Sequence, residues 1–211
     1  MNTQAAVNPF LDIVQARRSA MNFVEGVKIP QSELEEIFSH TRLAPSAFNL
    51  QHARYKVIAD PALKEQIRES AYGQYKIHTA SAVIVVLGDM HAYEQAPEIY
   101  GGLKMLGAMS QEEYDGMIGA INQAYIGKEA FQRDEAIRNA SLSAMQFMLI
   151  AKDKGWDTCP MIGFDPEAVK NVLGLPDHLV PVMLITIGKD NQRKIRPRGY
   201  RKPVGEFVDF M

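Results

Sequence analysis

The sequence has a single cysteine, a single tryptophan and no long apolar run. Because Cys159 has no second cysteine to pair with, the chain cannot form an intramolecular disulfide, which fits a reducing compartment. The longest strongly apolar run, 82–87, is far shorter than the roughly 20 residues that a membrane-spanning helix needs. Residues 1–12 lack a basic start, an apolar stretch and a cleavage site, so we expect no signal peptide, no membrane association and a cytoplasmic location.

Neither sign of charge is in large excess, since 23 Lys and Arg stand against 25 Asp and Glu, for a net charge of −2. A chain with this balance has no overall field to recruit nucleic acid, which we do not expect as a partner. The five histidines never pair at metal-ligand spacing and no cysteine cluster joins them, so we expect no metal. The glycine-rich motifs of dinucleotide-binding folds and phosphate loops are missing, as is the Gly-x-Ser-x-Gly turn of the α/β hydrolases.

What is present is the composition of a globular protein, with 46% hydrophobic and 23% charged residues. The length predicts one domain over residues 1–211. Apolar spacing and capping residues predict five helices: over 9–18, from a Ser32–Glu35 capping box to just before Pro45, after Asp60-Pro61, over 134–154, and from Asp165-Pro166 to Gly174.

Strands are predicted at 54–59, 81–87 and 180–187, the second as a central strand buried on both faces. Residues 91–131 are rich in Met and Tyr, have weak periodicity and are predicted to form a semi-independent helical excursion. Because strands and helices do not alternate regularly, the predicted fold class is α+β.

Three local groups of residues have the chemistry to bind a ligand. The group 17–19, Arg-Arg-Ser, could clamp a phosphate or ribityl chain, or its arginines could complement the dipole of the helix that ends there. The polar loop 45–51 could face a flat polar ring or form an ordinary turn. In the segment 159–164 a glycine could let the backbone approach a ligand, or the segment could be a plain connection. Cys159 has no base or cation beside it in the sequence, which predicts an inert thiol.

Taken in order, these groups resemble the nitroreductase family of FMN-dependent NAD(P)H oxidoreductases. The family pattern begins with a helix that ends in Arg-Arg-Ser, followed by Ile-Pro, an acidic helix and a Pro-Ser-x-x-Asn-x-Gln loop. It continues with an apolar strand, a helix of small residues, a Pro-x-x-Gly-Phe turn and a basic tail that ends in Arg-x-Pro. The resemblance extends from about Phe10 to Val208, and the ordered set is more specific than any one motif.

The resemblance implies a three-layer sandwich with a central, mostly antiparallel sheet between helices. It also implies a homodimer that exchanges its C-terminal tails and holds FMN at the subunit interface. In that arrangement Arg17, Arg18, Ser19 and Arg201 hold the phosphate and ribityl chain, with Arg198 as a second candidate in the tail. Pro45, Ser46 and Asn49 line the flavin ring of the other subunit.

The remaining site residues implied by the resemblance lie at the ring itself. Gln74 and Lys76 read the pyrimidine edge, and Lys76 stabilises negative charge on reduced flavin, although it could instead be a solvated surface lysine. Pro160, Ile162 and Gly163 belong to the turn against the central ring, where Gly163 supplies a backbone N–H.

The chain departs from the family pattern at three positions, where Met21 replaces a basic residue, His52 replaces a proline and Ile162 replaces the glutamate of some relatives. Residues 189–202 carry seven basic side chains and one acidic side chain, a local charge of +6 that suits a phosphate ligand: Lys189, Arg193, Lys194, Arg196, Arg198, Arg201 and Lys202.

The resemblance implies an enzyme that takes a hydride from NADH or NADPH onto FMN and passes electrons to a nitroaromatic or quinone by a ping-pong mechanism. No side chain is needed as an acid or base, because the cofactor does the chemistry. A flavin carrier or sensor with little turnover, or a reductive dehalogenase, would share the same residues. The excursion could cover the open face of the flavin, or its Met and Tyr side chains could simply fill a core.

Overall fold

A computed structural model describes residues 9–191 and 197–211. It contains eight α-helices, which we number in chain order: α1 Pro9–Ala16, α2 Gln31–Thr41, α3 Pro61–Ser70, α4 Tyr75–Thr79, α5 Ala96–Met105, α6 Gln111–Tyr125, α7 Glu129–Asp153 and α8 Pro166–Leu173. Its strands are β1 Ala53–Ile58, β2 Ala82–Asp89, β3 Asp157–Met161 and β4 Leu179–Gly188. Single turns of 3-10 helix lie at Ala47–Asn49, Ala92–Gln95 and Val204–Glu206.

The four strands form one sheet in the order β1-β2-β4-β3, and every neighbouring pair is antiparallel. All eight residues of β2 are buried, as expected for a near-continuous apolar strand with a helical layer on each face. Ile84 and Val86 face one layer, which contains α2 and α7, whereas Val83 and Val85 face the other, which contains α3, α4 and α8. The α+β class and the three-layer sandwich are therefore confirmed.

Helix α7 is the central helix of its layer because small side chains allow it to approach the sheet. Ala136, Ala140 and Ala144 are fully buried on it. Opposite them, Gly88 lies so close that an added Cβ would come within 2.7 Å of the Ala136 carbonyl oxygen. The helix begins at Glu129, about one turn before the predicted start.

Two local predictions differ from the structure, and two elements were not predicted. The predicted Ser32–Glu35 capping box is wrong, because α2 begins at Gln31 after Pro30 and its N-cap makes no side-chain hydrogen bond. Instead, the Gln31 amide donates to Glu35 Oε1 at 2.7 Å. Helix α1 ends at Ala16 rather than at Arg18, and the sequence reading missed both α4 and β3.

Helices α5 and α6 occupy the segment 91–131 and pack around their own aromatic core. Tyr125 is fully buried there, with the ring of Tyr93 stacked against it at 5.5 Å between centroids. The Tyr100 hydroxyl donates to the Phe48 carbonyl oxygen at 2.8 Å, which ties α5 to the loop that precedes β1.

Candidate functional site

The Arg17–Ser19 segment runs alongside the outer edge of β3. Ser19 forms a parallel bridge with Thr158, and the Ala20 N–H donates to the Thr158 carbonyl at 3.0 Å. On its other side β3 pairs with β4. The position of the arginine segment is therefore set by the backbone of a strand, which fixes it more firmly than a free loop would.

A cleft of about 670 Å³ opens beside this segment, and it is lined by basic residues from both ends of the chain. The lining includes all five residues predicted to hold the phosphate and ribityl chain: Arg17, Arg18, Ser19, Arg198 and Arg201. Burial, followed by the positive charges of Arg198 and Arg201, lowers the pKa of Arg17 from its ordinary value. The cleft is therefore a place where like charges are held together, and an anion bound there would relieve their repulsion.

The two tail arginines differ in their present partners. The Arg198 guanidinium donates to the carbonyl oxygens of Gln15 at 2.5 Å and of Arg17 at 3.1 Å, so it caps the end of α1 and fastens the tail to it. Within residues 9–191 and 197–211, Arg201 donates only to tail carbonyls, those of Gly199 at 3.1 Å and Tyr200 at 2.9 Å. Arg198 is thus an anchor of the cleft wall, and Arg201 is freer to turn toward a ligand. Arg193, Lys194 and Arg196 lie outside the described residues.

Sequence reasoning missed three charged residues of the same cleft. The Lys152 ammonium on α7 lies 2.8 Å from Asp157 Oδ1, and Asp157 Oδ2 accepts from the Asp190 N–H at 3.0 Å. Met21, which replaces a basic residue of the family pattern, also lines this cleft. The charge of Lys152 is therefore balanced by the Asp157 carboxylate, and Lys152 does not replace the basic side chain that is absent at Met21. No local signal could have indicated this, because the residues meet only through the tertiary fold.

Five of the other predicted residues lie at the far end of β3 and the turn that follows it. The Gln74 amide donates to the Gly163 carbonyl at 2.8 Å, and the Lys76 ammonium donates to Cys159 Sγ at 3.5 Å. Pro160 lies in β3 opposite Ile185, and Ile162 is 84% exposed directly after the strand. The sequence places no cation next to Cys159, but in the folded chain α4 brings the Lys76 ammonium into contact with it.

The length of β3 separates the two groups of residues. Thr158 lies beside Ser19 and Gly163 lies beside Gln74. Because β3 ends at Met161, five residues at about 3.3 Å each set an upper limit of roughly 17 Å on this separation. A ligand that contacts both groups would need an anionic end at the arginines and a hydrogen-bonding end at α4.

The loop 45–51 lies apart from these groups within one copy of the chain. Pro45 and Ser46 line a separate groove of about 240 Å³. Ser46 Oγ accepts from the Gln51 N–H at 3.0 Å. Phe48, Asn49 and Gln51 all have φ near +50°, a left-handed conformation that costs energy for residues other than glycine. Such strain is held where the surroundings fix the backbone, and it is typical of ligand-binding loops.

Two classes of site find no support in the part of the chain that the structure describes. Residues 9–191 and 197–211 contain no group of three or more His, Cys, Asp or Glu placed to hold a metal. Among the helices over the same residues, none combines the length and the apolarity needed to cross a bilayer.

Comparison with known proteins agrees with this geometry. The model of the nitroreductase family matches residues 14–189. A protein of Bacillus subtilis (strain 168) that bears the name of a NAD(P)H nitroreductase, MhqN, is 56% identical over 203 residues, or 96% of this chain and 98% of that protein. The crystal structure of a B. subtilis protein described as a nitroreductase, ydfN, has a TM-score of 0.93 at 54% identity and covers 96% of this chain and 99% of that one.

A further crystal structure, from Exiguobacterium sibiricum 255-15, is described as a nitroreductase in complex with FMN. It has a TM-score of 0.87 and 34% identity, and the match covers 100% of both chains. Fold, order of motifs and sequence identity all lead to one conclusion: the chain belongs to the nitroreductase family.

Proposed function

We propose that this protein is an FMN-dependent oxidoreductase that uses NADH or NADPH as electron donor. The observation that carries the proposal is the arginine cleft at one end of β3 together with the α4 contacts at the other. Family membership and the FMN complex of the E. sibiricum relative support it.

The residues present fit FMN at both of its ends. Arg17, Arg18, Ser19 and Arg201 would hold the phosphate, where the mutual repulsion of the arginines calls for an anion. Arg198 would hold the tail against the end of α1 through its hydrogen bonds to the backbone there. Guanidinium groups are suited to this task because their fork of N–H donors matches phosphate oxygens.

At the other end, α4 and the turn after β3 would hold the ring. Gln74 and Lys76 would bind its pyrimidine edge, with Lys76 placing a positive charge where reduced flavin gains negative charge. Pro160, Ile162 and Gly163 would lie against the ring. Bound FMN would supply the hydride- and electron-transfer chemistry between the nicotinamide donor and the acceptor. The protein contributes binding, orientation and charge.

We further propose a homodimer, which would bring the loop 45–51 to the cofactor of the other copy. Helix α1 has no buried residue, and Phe10 is 59% exposed on it. Together with Leu142 and Met145 of α7, it lines an apolar groove of about 560 Å³. The tail adds more exposed apolar surface, since Phe210 is 90% exposed. Surfaces of this kind mark interfaces, and tail exchange would cover them.

In that dimer Pro45, Ser46 and Asn49 would line the ring of the cofactor held by the other copy. Light scattering at micromolar concentration should give about twice the chain mass of 23.6 kDa. A mass equal to that of one chain would contradict the dimer, and it would leave the loop without a ring to face.

The cofactor is tested directly. Protein purified from a flavin-sufficient host should be yellow, and flavin released by heat should elute as FMN at one per chain. The missing dinucleotide-binding motif argues against FAD. Release of FAD, or no flavin after reconstitution, would refute the proposal.

The acceptor is proposed to be a nitroaromatic or a quinone, which would enter the same open face as the donor after the oxidised nucleotide has left. The whole chain would act as one domain in the cytoplasm, with α5 and α6 placed over that face.

If donor and acceptor use the same face in turn, double-reciprocal plots at several acceptor concentrations should be parallel. Intersecting lines would mean that both substrates bind together. A flavin that NAD(P)H does not bleach would instead favour a carrier or sensor.

A further inference from the structure

Two hydrogen bonds join the α4 region to β3 and the turn that follows it. One runs from Gln74 to the Gly163 carbonyl, and the other runs from the Lys76 ammonium to Cys159 Sγ at 3.5 Å. The Gln74–Gly163 bond joins a side chain to the backbone, so its geometry depends on the conformation of the turn. The second joins two side chains, so its geometry depends on which residue stands at position 159.

Cys159 is a fixed partner, whereas Lys76 is a flexible one. Cys159 is 4% exposed, pairs with Thr186 across the sheet and accepts a hydrogen bond from the Thr186 hydroxyl on its carbonyl at 3.4 Å. Lys76 is half-buried and carries its charge on a four-carbon stem with many rotamers. The contact therefore orients the Lys76 ammonium, because Cys159 is held in place by β3.

We propose that Cys159 is a positioning residue for Lys76: its sulfur accepts a hydrogen bond from the ammonium and holds the charge beside β3. This inference rests on the proposed FMN site, in which Lys76 binds the pyrimidine edge. It gives the one cysteine of the chain a role that its position in the sequence does not suggest.

The chemistry of sulfur suits the role. A thiol is a weak acceptor and carries no charge, so it can orient an ammonium without neutralising it. An aspartate or glutamate at position 159 would form an ion pair and cancel the charge that the cofactor needs. A side chain with no acceptor would leave the ammonium to sample other rotamers.

The first test measures how tightly the protein binds reduced FMN relative to oxidised FMN, which follows from the midpoint potential of the bound cofactor. Cys159→Ala should lower this preference about two- to ten-fold, the range expected for one lost hydrogen bond. Cys159→Ser, which keeps an acceptor, should recover most of it. In a Lys76→Met background, Cys159→Ala should have no further effect.

Equal potentials in wild type and Cys159→Ala would overturn the inference. So would an effect of Cys159→Ala that persists in full without Lys76, since the cysteine would then act only through packing.

The second test needs no flavin. Because the chain has one cysteine, alkylation of the apoprotein by iodoacetamide reports on Cys159 alone. Lys76→Met should change the alkylation rate about two- to ten-fold, because the ammonium contacts the sulfur that reacts. Lys56→Met, at an exposed position on β1, is the matched control and should leave the rate unchanged.

Equal rates in wild type and Lys76→Met would show that the contact does not exist in solution. The two tests also separate this inference from the proposed function. A wild-type protein that binds no FMN would refute the function, and the alkylation rates would still decide whether Lys76 and Cys159 meet.

Discussion

Acidification is expected to destabilise the fold through one buried histidine. His52 lies just before β1 with no exposed surface, and its Nε2 is 3.4 Å from the Tyr125 hydroxyl. Its Nδ1 has no hydrogen-bond partner among the residues that the structure describes. Burial lowers the pKa of His52 to about 4, with a smaller lowering from Arg54 and an opposing effect of the Asp89 carboxylate.

The sign and size of the effect follow from the two pKa values. In the unfolded chain His52 takes up a proton below its ordinary pKa of 6.5, whereas in the folded protein it stays neutral until about pH 4. The unfolded state therefore binds more protons between these values, so the free energy of unfolding falls as the pH falls through this window. The loss should be about 2 kcal/mol at pH 5 and should approach about 3 kcal/mol near pH 4.

Urea unfolding at about pH 7.5 and pH 5, at one protein concentration, measures the loss directly. His52→Gln should be less stable than wild type at the higher pH, but it should lose about 2 kcal/mol less on acidification. His40→Gln, at an exposed position on α2, is the matched control and should behave as wild type. If His52→Gln and wild type lose the same stability, another group carries the acid sensitivity and the assignment to His52 is refuted.

Three further predictions concern the cleft and the glycines. Arg17→Ala should weaken FMN binding about 10- to 150-fold, as expected for a lost hydrogen bond to a charged group. The melting temperature of the apoprotein should stay unchanged or rise, because the mutation removes one of several neighbouring positive charges. Equal FMN affinity of mutant and wild type in a fluorescence titration would show that Arg17 is not part of the site. In α6, an added Cβ at Gly116 or Gly119 would meet nothing within 4 Å. Gly116→Ala and Gly119→Ala should therefore each raise the free energy of unfolding by ~0.5–1 kcal/mol and slow amide exchange in the helix. A lower free energy of unfolding would mean that another copy of the chain packs there. Gly88→Ala should cost ~1–3 kcal/mol because its Cβ would lie 2.7 Å from the Ala136 carbonyl oxygen, and a wild-type unfolding curve would contradict this packing.

The elements that sequence reasoning found are those with strong local signals. The apolar run of β2 and the small-residue stripe of α7 follow from burial, and both are confirmed within a few residues. The Asp60 side chain caps α3 at the Leu63 N–H, as its Asp-Pro pair predicts. At α2 the local signal was ambiguous, since Gln31 made an equally good first residue after Pro30 and displaced the expected serine cap.

From local spacing alone the site was predictable only where its residues are close in sequence, and the family resemblance added the distant Arg198 and Arg201. Arg17, Arg18 and Ser19 form a motif by themselves, and the structure places them in one cleft with Arg201. Lys152 and the contact between Lys76 and Cys159 could not be read from spacing, because each depends on two elements that meet through the sheet. The exchange of loop 45–51 between subunits is implied by the family resemblance and stays a prediction.

The missed strand and the candidate site are linked for a physical reason. β3 is short, its buried and partly buried residues do not alternate regularly, and it contains Pro160. A proline within a segment argues against a strand when a sequence is analysed. A proline is tolerated there because β3 lies at the edge of the sheet, where one flank need not complete a ladder. That same incomplete flank receives Ser19, while Lys76 contacts Cys159 of the strand and Gln74 contacts Gly163 just after it. The edge position that allows a proline in β3, and so hides the strand from a pattern search, is therefore also what lets the arginine segment pair with it.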